Sequence, residues 1–428
     1  MNDKMGYQHI PQAFFLFITF LTTALPLRSV PTFIELLIGA MLTQAGFVTQ
    51  AWLAVNMHRH WTSYYKWLQK GKWSWVKLGN RMARMLITFF PKQQRFLIID
   101  DTIIYRNSKK APGSRINHEH GTKANRPKYV RGQSWVSLAS VANQGLSFAA
   151  IPLLFRMMRA NGNTSKLDAA KVLIRAILPL FATEDVCLLI DSWYMRGKLI
   201  SYALKNGINV IGQVRKDTAL YDIPERTGKR GRPKKYGDKF STKRISLLPE
   251  KRQLCFIYGK WQWIRYKSVI AKARFLQGEH VRAVWVYFED SLFTKEHLIL
   301  ATNITLTPLE VISAYAKRWS IETMFAQIKN NWGWKEAWQQ SRQVLHRWTQ
   351  ILSIGYAIPQ LLAIMDGSQM NKLSFLTPWR IKKSITAGQV RLWLKMILGH
   401  VRIRDWWNPK SRKFERPCQS ISSYKPYD

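Results

Sequence analysis

The run Tyr315-Ala316-Lys317-Arg318-Trp319-Ser320-Ile321-Glu322, continued through Phe325 to Lys329, holds the residues best placed to do chemistry. Wound as one helix at about 100° per residue, it puts Tyr315, Arg318, Glu322 and Lys329 within roughly a 60° arc. Trp319 stands about 40° beyond one edge of that stripe. Ile321, Met324, Phe325 and Ile328 form an apolar face beside it, so such a helix can lie on a core and keep a polar edge. A carboxylate flanked by an arginine, a lysine and a phenol suits a site that handles phosphate and metal together. An ordinary surface helix would carry the same strip as a solvated charged face, so the spacing has to be weighed against the rest of the chain.

That spacing, Tyr-x2-Arg-x3-Glu-x6-Lys, resembles the signature of bacterial insertion-sequence transposases with a DDE active site. Leu306-Thr307-Pro308 leads into the helix and Gly333 follows Lys329, as in that group. The resemblance implies that Glu322 is the third catalytic carboxylate and that two aspartates lie upstream on strands. Both are present. Phe96-Leu97-Ile98-Ile99-Asp100-Asp101-Thr102 and Val186-Cys187-Leu188-Leu189-Ile190-Asp191-Ser192-Trp193-Tyr194 are short apolar runs that end in carboxylates. Continuous apolar residues mean a strand covered on both faces. An acid at its end emerges at the sheet edge, where open α/β folds build their sites. One such aspartate is more often a helix cap or turn former. Two, in order before the glutamate, are harder to dismiss, and Asp-Ser-Trp-Tyr resembles the group's second-aspartate motif. The first position is ambiguous. Asp-x-Thr, the pattern of the group, selects Asp100 with Thr102, whereas a plain Asp-Thr selects Asp101. Successive strand residues face opposite ways, so only one can serve; the reading adopted is Asp100.

Breaking and rejoining a phosphodiester requires an activated water or 3′-hydroxyl and a stabilised leaving oxygen. Two divalent ions about 3.5–4 Å apart can supply both. Hard carboxylate oxygens suit Mg²⁺, with Mn²⁺ as a substitute. The expected ligand set is therefore Asp100, Asp191 and Glu322, with two ions. Arg318 and Lys329 would hold phosphates near the scissile bond. Tyr315 would either hydrogen-bond a phosphate or fill a helix contact. Trp319 and Trp193 adjoin the carboxylates and are the best candidates for stacking an extruded base.

The charge agrees with such a substrate. The chain has 66 Lys+Arg against 25 Asp+Glu, a formal net charge of +41. Self-repulsion on that scale is relieved by a polyanion, and DNA is the usual one, bound with strong salt dependence. RNA or an anionic membrane would satisfy charge alone. Lys229-Arg230-Gly231-Arg232-Pro233-Lys234-Lys235 resembles an AT-hook, which would lay Arg230 and Arg232 into a narrow minor groove beside Lys234; general phosphate contact is the alternative. His118-Glu119-His120 tempts a metal reading but lacks further ligands at suitable spacing, so a DNA-facing loop or hairpin is preferred.

The order of elements that would position these side chains is consistent with an α/β fold: a ribonuclease-H-like catalytic core with an inserted β-rich subdomain, flanked by helical N- and C-terminal regions. Residues 1–90 read as helical and as a DNA-end-binding region, with Gly71 at a turn resembling a helix-turn-helix. The apolar run from Ala13 to Leu25 is too short to span a bilayer, which takes about 20 residues, and reads as a buried helix. Residues 91–361 form the catalytic unit. In it Trp135–Ala142 and Leu146–Pro152 read as strands and Thr164–Phe181 as the crossover helix. The stretch between Asp191 and Glu322 is too long for one helix and a turn, and the β-rich insertion falls at about residues 210–303. Residues 362–428 read as a basic helical piece and a tail. Cys187, Cys255 and Cys418 are scattered and fit a reducing cytosol, with no disulfide framework or zinc site. The reading is a cytoplasmic, nucleoid-associated transposase that acts on its element's inverted repeats and on target DNA as a homodimer. A nuclease without strand transfer and a non-catalytic DNA-binding protein are the alternatives.

Overall fold

The structure, a computed structural model, describes residues 7–92, 94–119, 127–144, 147–159, 165–225, 233–289, 296–365, 378–380, 384–399 and 401–416. Strand β1 (Gln94–Tyr105) organises it. Leu97, Ile98 and Ile99 are all fully buried, so both faces of this strand are covered, as the unbroken apolar run predicts. β1 pairs antiparallel with the long β3 (Tyr129–Gln144), which carries both β2 (Ser114–His118) and β4 (Ser147–Met157). On its other side β1 runs parallel to β5 (Asp185–Ile190), and β5 parallel to β6 (Asn209–Val214). Parallel neighbours need crossovers. These are α6 (Lys166–Ile177), opened by a capping box between Ser165 and Asp168, and α7 (Gly197–Lys205). The antiparallel strands β1, β3 and β4, with β2 added on β3, followed by the parallel β5 and β6 and their helices, make a ribonuclease-H-like core.

The insertion is β-rich and continuous with that core. Beyond β6, β7 (Leu220–Tyr221), β8 (Lys251–Ile257), β9 (Lys260–Ala273), β10 (Glu279–Phe288) and β11 (His297–Ala301) join the same sheet, with the short α8 (Thr242–Ser246) between β7 and β8. Its order is β2-β3-β1-β5-β6-β11-β10-β9-β7, with β4 on β3 and β8 on β9. β11 pairs antiparallel with β6, so the chain returns beside the catalytic strands before entering the glutamate-bearing segment.

The N-terminal residues form α1 (Gln12–Thr22), α2 (Val30–Leu42), α3 (Val48–Ala54), α4 (Trp61–Lys70) and α5 (Trp75–Phe89). α1 buries Phe14, Phe15 and Phe17, as expected of a core helix. α4 and α5 flank the turn at Gly71, and Arg347 clamps it. Its guanidinium donates to the Leu68, Gly71 and Trp73 carbonyls at 2.6–2.7 Å. The turn is therefore tied into the body of the protein.

One expectation is corrected. The Tyr315–Lys329 run is two helices, α9 (Pro308–Lys317) and α10 (Ser320–Asn331). Arg318 and Trp319 keep right-handed helical angles between them, but the amides of Arg318, Trp319, Ile321 and Glu322 all bond three residues back. That tighter winding shifts the angular register. Tyr315 reaches Gln213 of β6 and Lys329 the wall of the cavity over Asp100, while Arg318 and Glu322 stay within reach of each other. The long α11 (Arg342–Met365) lies mostly buried and packs on α2 and β4, and α12 (Ala387–Leu398) packs on it. α11 is also the one described helix long and apolar enough to cross a bilayer.

Candidate active site

Parallel pairing sets the geometry. Ile99 is the register partner of Ile190, so the next residues, Asp100 and Asp191, emerge side by side on the same face at the sheet edge. Asp101 faces the other way. The side-chain partners agree: Asp100 meets Arg318, from the α9–α10 side, at 3.2 Å. Asp101 accepts from Lys166 of α6 at 2.6 Å and from the Tyr194 hydroxyl at 3.0 Å.

Asp100 is the strained member. Burial raises its pKa to about 7, the neighbouring Asp191 charge adds to the rise, and Arg318 opposes it. One Asp191 oxygen accepts the backbone amides of Trp193 and Tyr194 at 3.1 and 3.0 Å. That turn fixes the carboxylate and explains the Asp-Ser-Trp-Tyr spacing. Glu322 lies in the first turn of α10, partly exposed, and accepts from Arg318 at 2.9 Å. Arg318 thus bridges the first and third carboxylates. Its burial opposes the charge, but Tyr315, Asp100 and Glu322 outweigh that and hold it protonated.

A cavity of about 570 Å³ opens over Asp100, Asp191, Trp193, Lys166 and Lys329; Asp101 also reaches its wall beside Lys166, whereas Arg318 and Glu322 lie off it. Trp193 is 37% exposed, and the Lys166 ammonium lies 5.0 Å from its ring centroid. Trp319 is 52% exposed and lines a neighbouring cavity with Tyr258. Tyr315 is buried, its hydroxyl donates to Gln213 at 3.3 Å, and burial raises its pKa to about 12. It therefore fills a helix contact, one of the two roles open to it. Lys234 is exposed, and its neighbour Lys235 contacts the β9 and Gly278 region, away from the carboxylates. Arg230, Gly231 and Arg232 lie outside the described residues, as do His120 and Cys418.

Sequence reasoning placed His118 and Glu119 in a DNA-facing loop or hairpin and gave Lys166 no role of its own; all three line this cavity. His118 and Glu119 reach its wall from the end of β2, and Glu119 accepts from the Tyr105 hydroxyl. Lys166 is legible only as one of several cations on the crossover helix. Its place at the helix start, just after the Ser165 cap, was the available signal.

The donor chemistry here is hard oxygen. Asp100, pushed up to about 7 by burial first and by the Asp191 charge second, forms with Asp191 a pair of carboxylates whose charge a divalent cation relieves. In the structure Glu322 turns to Arg318 instead, and among the described residues no three His, Cys, Asp or Glu side chains already form a closed ion site.

Residues 33–267, more than half of the chain, match the family described as "DDE superfamily endonuclease". The chain belongs to that family, whose members act on DNA with divalent metal ions. The matched stretch contains Asp100, Asp101 and Asp191 and stops short of Glu322. Among solved structures, the NurA nuclease from Sulfolobus solfataricus aligns over 53% of this chain and 72% of its own. The identity is 12% and the TM-score 0.24, too remote to bear on function. No curated protein matches the sequence.

Proposed function

We propose that this DDE endonuclease is an insertion-sequence transposase that cleaves the inverted-repeat ends of its element and joins the freed 3′-hydroxyls to target DNA. The observation that carries the reading is the convergence of Asp100 and Asp191, adjacent by strand register, with Glu322 through the shared Arg318. These three carboxylates would hold Mg²⁺, which when bound offsets the charge that develops on the scissile phosphate.

The chain's own residues do the rest. Asp191 is locked by its turn and Asp100 by its strand, so neither has to be ordered on substrate binding. Lys166 and Lys329, on the cavity wall, neutralise the phosphates that flank the scissile bond. Arg318 is held by two carboxylates, Asp100 and Glu322, and would reach the same backbone by exchanging one of them for a phosphate when the metal takes up the carboxylates. Trp193 and Trp319 offer exposed rings to unstacked bases. Water attack breaks the bond from phosphorus to the 3′ oxygen and leaves a 3′-hydroxyl and a 5′-phosphate. The hydroxyl then attacks a target phosphate, with the departing target 3′ oxygen taking up a proton. Residues 1–90 would bind the element end, residues 362–428 would supply further contacts, and two copies would pair the ends as a homodimer in the nucleoid.

The test is cleavage of a labelled duplex that carries the element's terminal repeat, in Mg²⁺ and in EDTA, with wild type beside Glu322→Gln. A metal-dependent 3′-hydroxyl end made by wild type alone, and its covalent transfer to a second duplex, is the expected result. Cleavage without transfer leaves an endonuclease and refutes the transposase reading. Full cleavage by Glu322→Gln refutes the site.

A further inference from the structure

Four cations that the catalytic cavity does not use gather in a second place. We propose that the cleft lined by Lys72, Lys77, Arg81 and Arg84 binds the sugar–phosphate backbone of duplex DNA, away from the carboxylates. This rests on DNA being the substrate.

Lys77, Arg81 and Arg84 recur at i, i+4 and i+7 of α5, so they share a stripe roughly 60° wide. Lys72 joins them from the turn before the helix, whose first residues are fixed by the Ser74 side chain accepting the Lys77 amide. The cleft they line has a volume of about 630 Å³ and no Asp or Glu in its wall. None of the four makes an ion pair among the described residues, whereas Arg95, Lys166, Arg244 and Arg318 all do. Arg81 is further crowded: burial and the adjacent Arg84 both lower its pKa. Like charges gathered in a concavity with no internal counter-charge favour binding of an anion.

Shape selects the kind of anion. A flat bilayer does not enter a cleft, whereas the ridge of a nucleic-acid backbone does. Position separates the cleft from the chemistry. Leu180, on its wall, belongs to the turn before β5, and Asp191 follows β5. A six-residue strand spans about 20 Å, a separation of roughly six base pairs along a duplex. The cleft would therefore grip DNA beyond the scissile position and contribute affinity without a direct role in bond breaking.

The experiment is equilibrium binding of a fluorescent duplex to the full chain across a range of KCl. Wild type is compared with K77Q/R84Q and with K77Q/R81Q/R84Q. Arg81 also packs on Phe20, so the double variant keeps that contact and guards against a folding failure in the triple; thermal melting checks both. Each lost phosphate contact lowers the slope of log affinity against log salt by about 0.9, so the double variant should lose about 1.8. An unchanged slope in a folded double variant overturns the proposal. So does a variant that binds duplex like wild type but no longer sediments with phosphatidylserine vesicles, which would make the cleft a lipid site. Metal-dependent cleavage by wild type is scored separately. If it is absent while the slope still falls, the transposase reading fails and the cleft stands.

Discussion

His346 offers a sharp quantitative test of how the catalytic sheet is held. It sits on α11 against β4, stacked on Trp75 at a ring-centroid distance of 4.8 Å and tilted against Trp135 at 5.1 Å. One ring nitrogen, Nε2, accepts the Met157 amide at 3.2 Å, and Nδ1 lies 2.8 Å from the Arg342 carbonyl. That pattern fits a neutral ring with the proton on Nδ1. A second proton would remove the acceptor and leave a buried Met157 amide facing a donor. Burial accordingly lowers the pKa from 6.5 to about 4, and the nearby Arg342 and Arg156 charges lower it further. Between those two pH values the unfolded chain carries the proton and the folded chain does not, so stability rises with pH across this window. The full contribution is present above pH 6.5 and is lost as the pH falls to about 4. A shift of about 2.5 units corresponds to roughly 3 kcal/mol. The assay is urea unfolding of wild type and His346→Gln at several pH values, because other titrations cancel in the difference. The variant should start less stable at pH 8, and the gap should close or reverse by about 3 kcal/mol on the way to pH 4. A pH-independent gap would refute the neutral, doubly bonded ring and the packing inferred from it.

Further expectations concern the site and its supports. Asp100→Asn should abolish cleavage and Asp101→Asn should weaken it less, since only Asp100 shares a face with Asp191; equal losses would mean that the face assignment is wrong. Mg²⁺ should raise the melting midpoint of wild type, and EDTA should reverse this, with a smaller response in Asp191→Asn; identical responses would place metal binding elsewhere. Glu184 clasps the fully buried Arg95 through two hydrogen bonds of 2.8 and 2.6 Å, at the end of β1 and β5 opposite the aspartates. Glu184→Ala should cost about 3–5 kcal/mol by leaving that guanidinium unpaired, and a loss under about 1 kcal/mol, typical of an exposed pair, would contradict its buried role. A Cβ on Gly46 would overlap the Gly333 carbonyl just past α10, so Gly46→Ala should lower expression or melting midpoint, whereas Gly207→Ala, which meets open space but has positive φ, should cost only its backbone strain.

The placement of the candidate acids was legible because each is tied to a local pattern. The apolar runs that end in Asp100 and Asp191 could only be strands covered on both faces, and strand register then placed the two acids side by side. Glu322 was legible by its spacing from Arg318, and that pairing survives although the helix is broken between them. What stayed hidden depends on long-range pairing. Nothing near residue 297 announces that β11 will hydrogen-bond to β6 and make the insertion an extension of the catalytic sheet. Nor does any local signal reveal that Arg347 reaches back to the Gly71 turn, or that Glu336 accepts the Gly46 amide at 2.9 Å. The N-terminal helices are bonded to α11 through Arg347 and to the segment that follows α10 through Gly46 and Glu336. Both ties join residues more than 270 positions apart, and no periodicity or spacing in either partner's own neighbourhood can announce such a pairing.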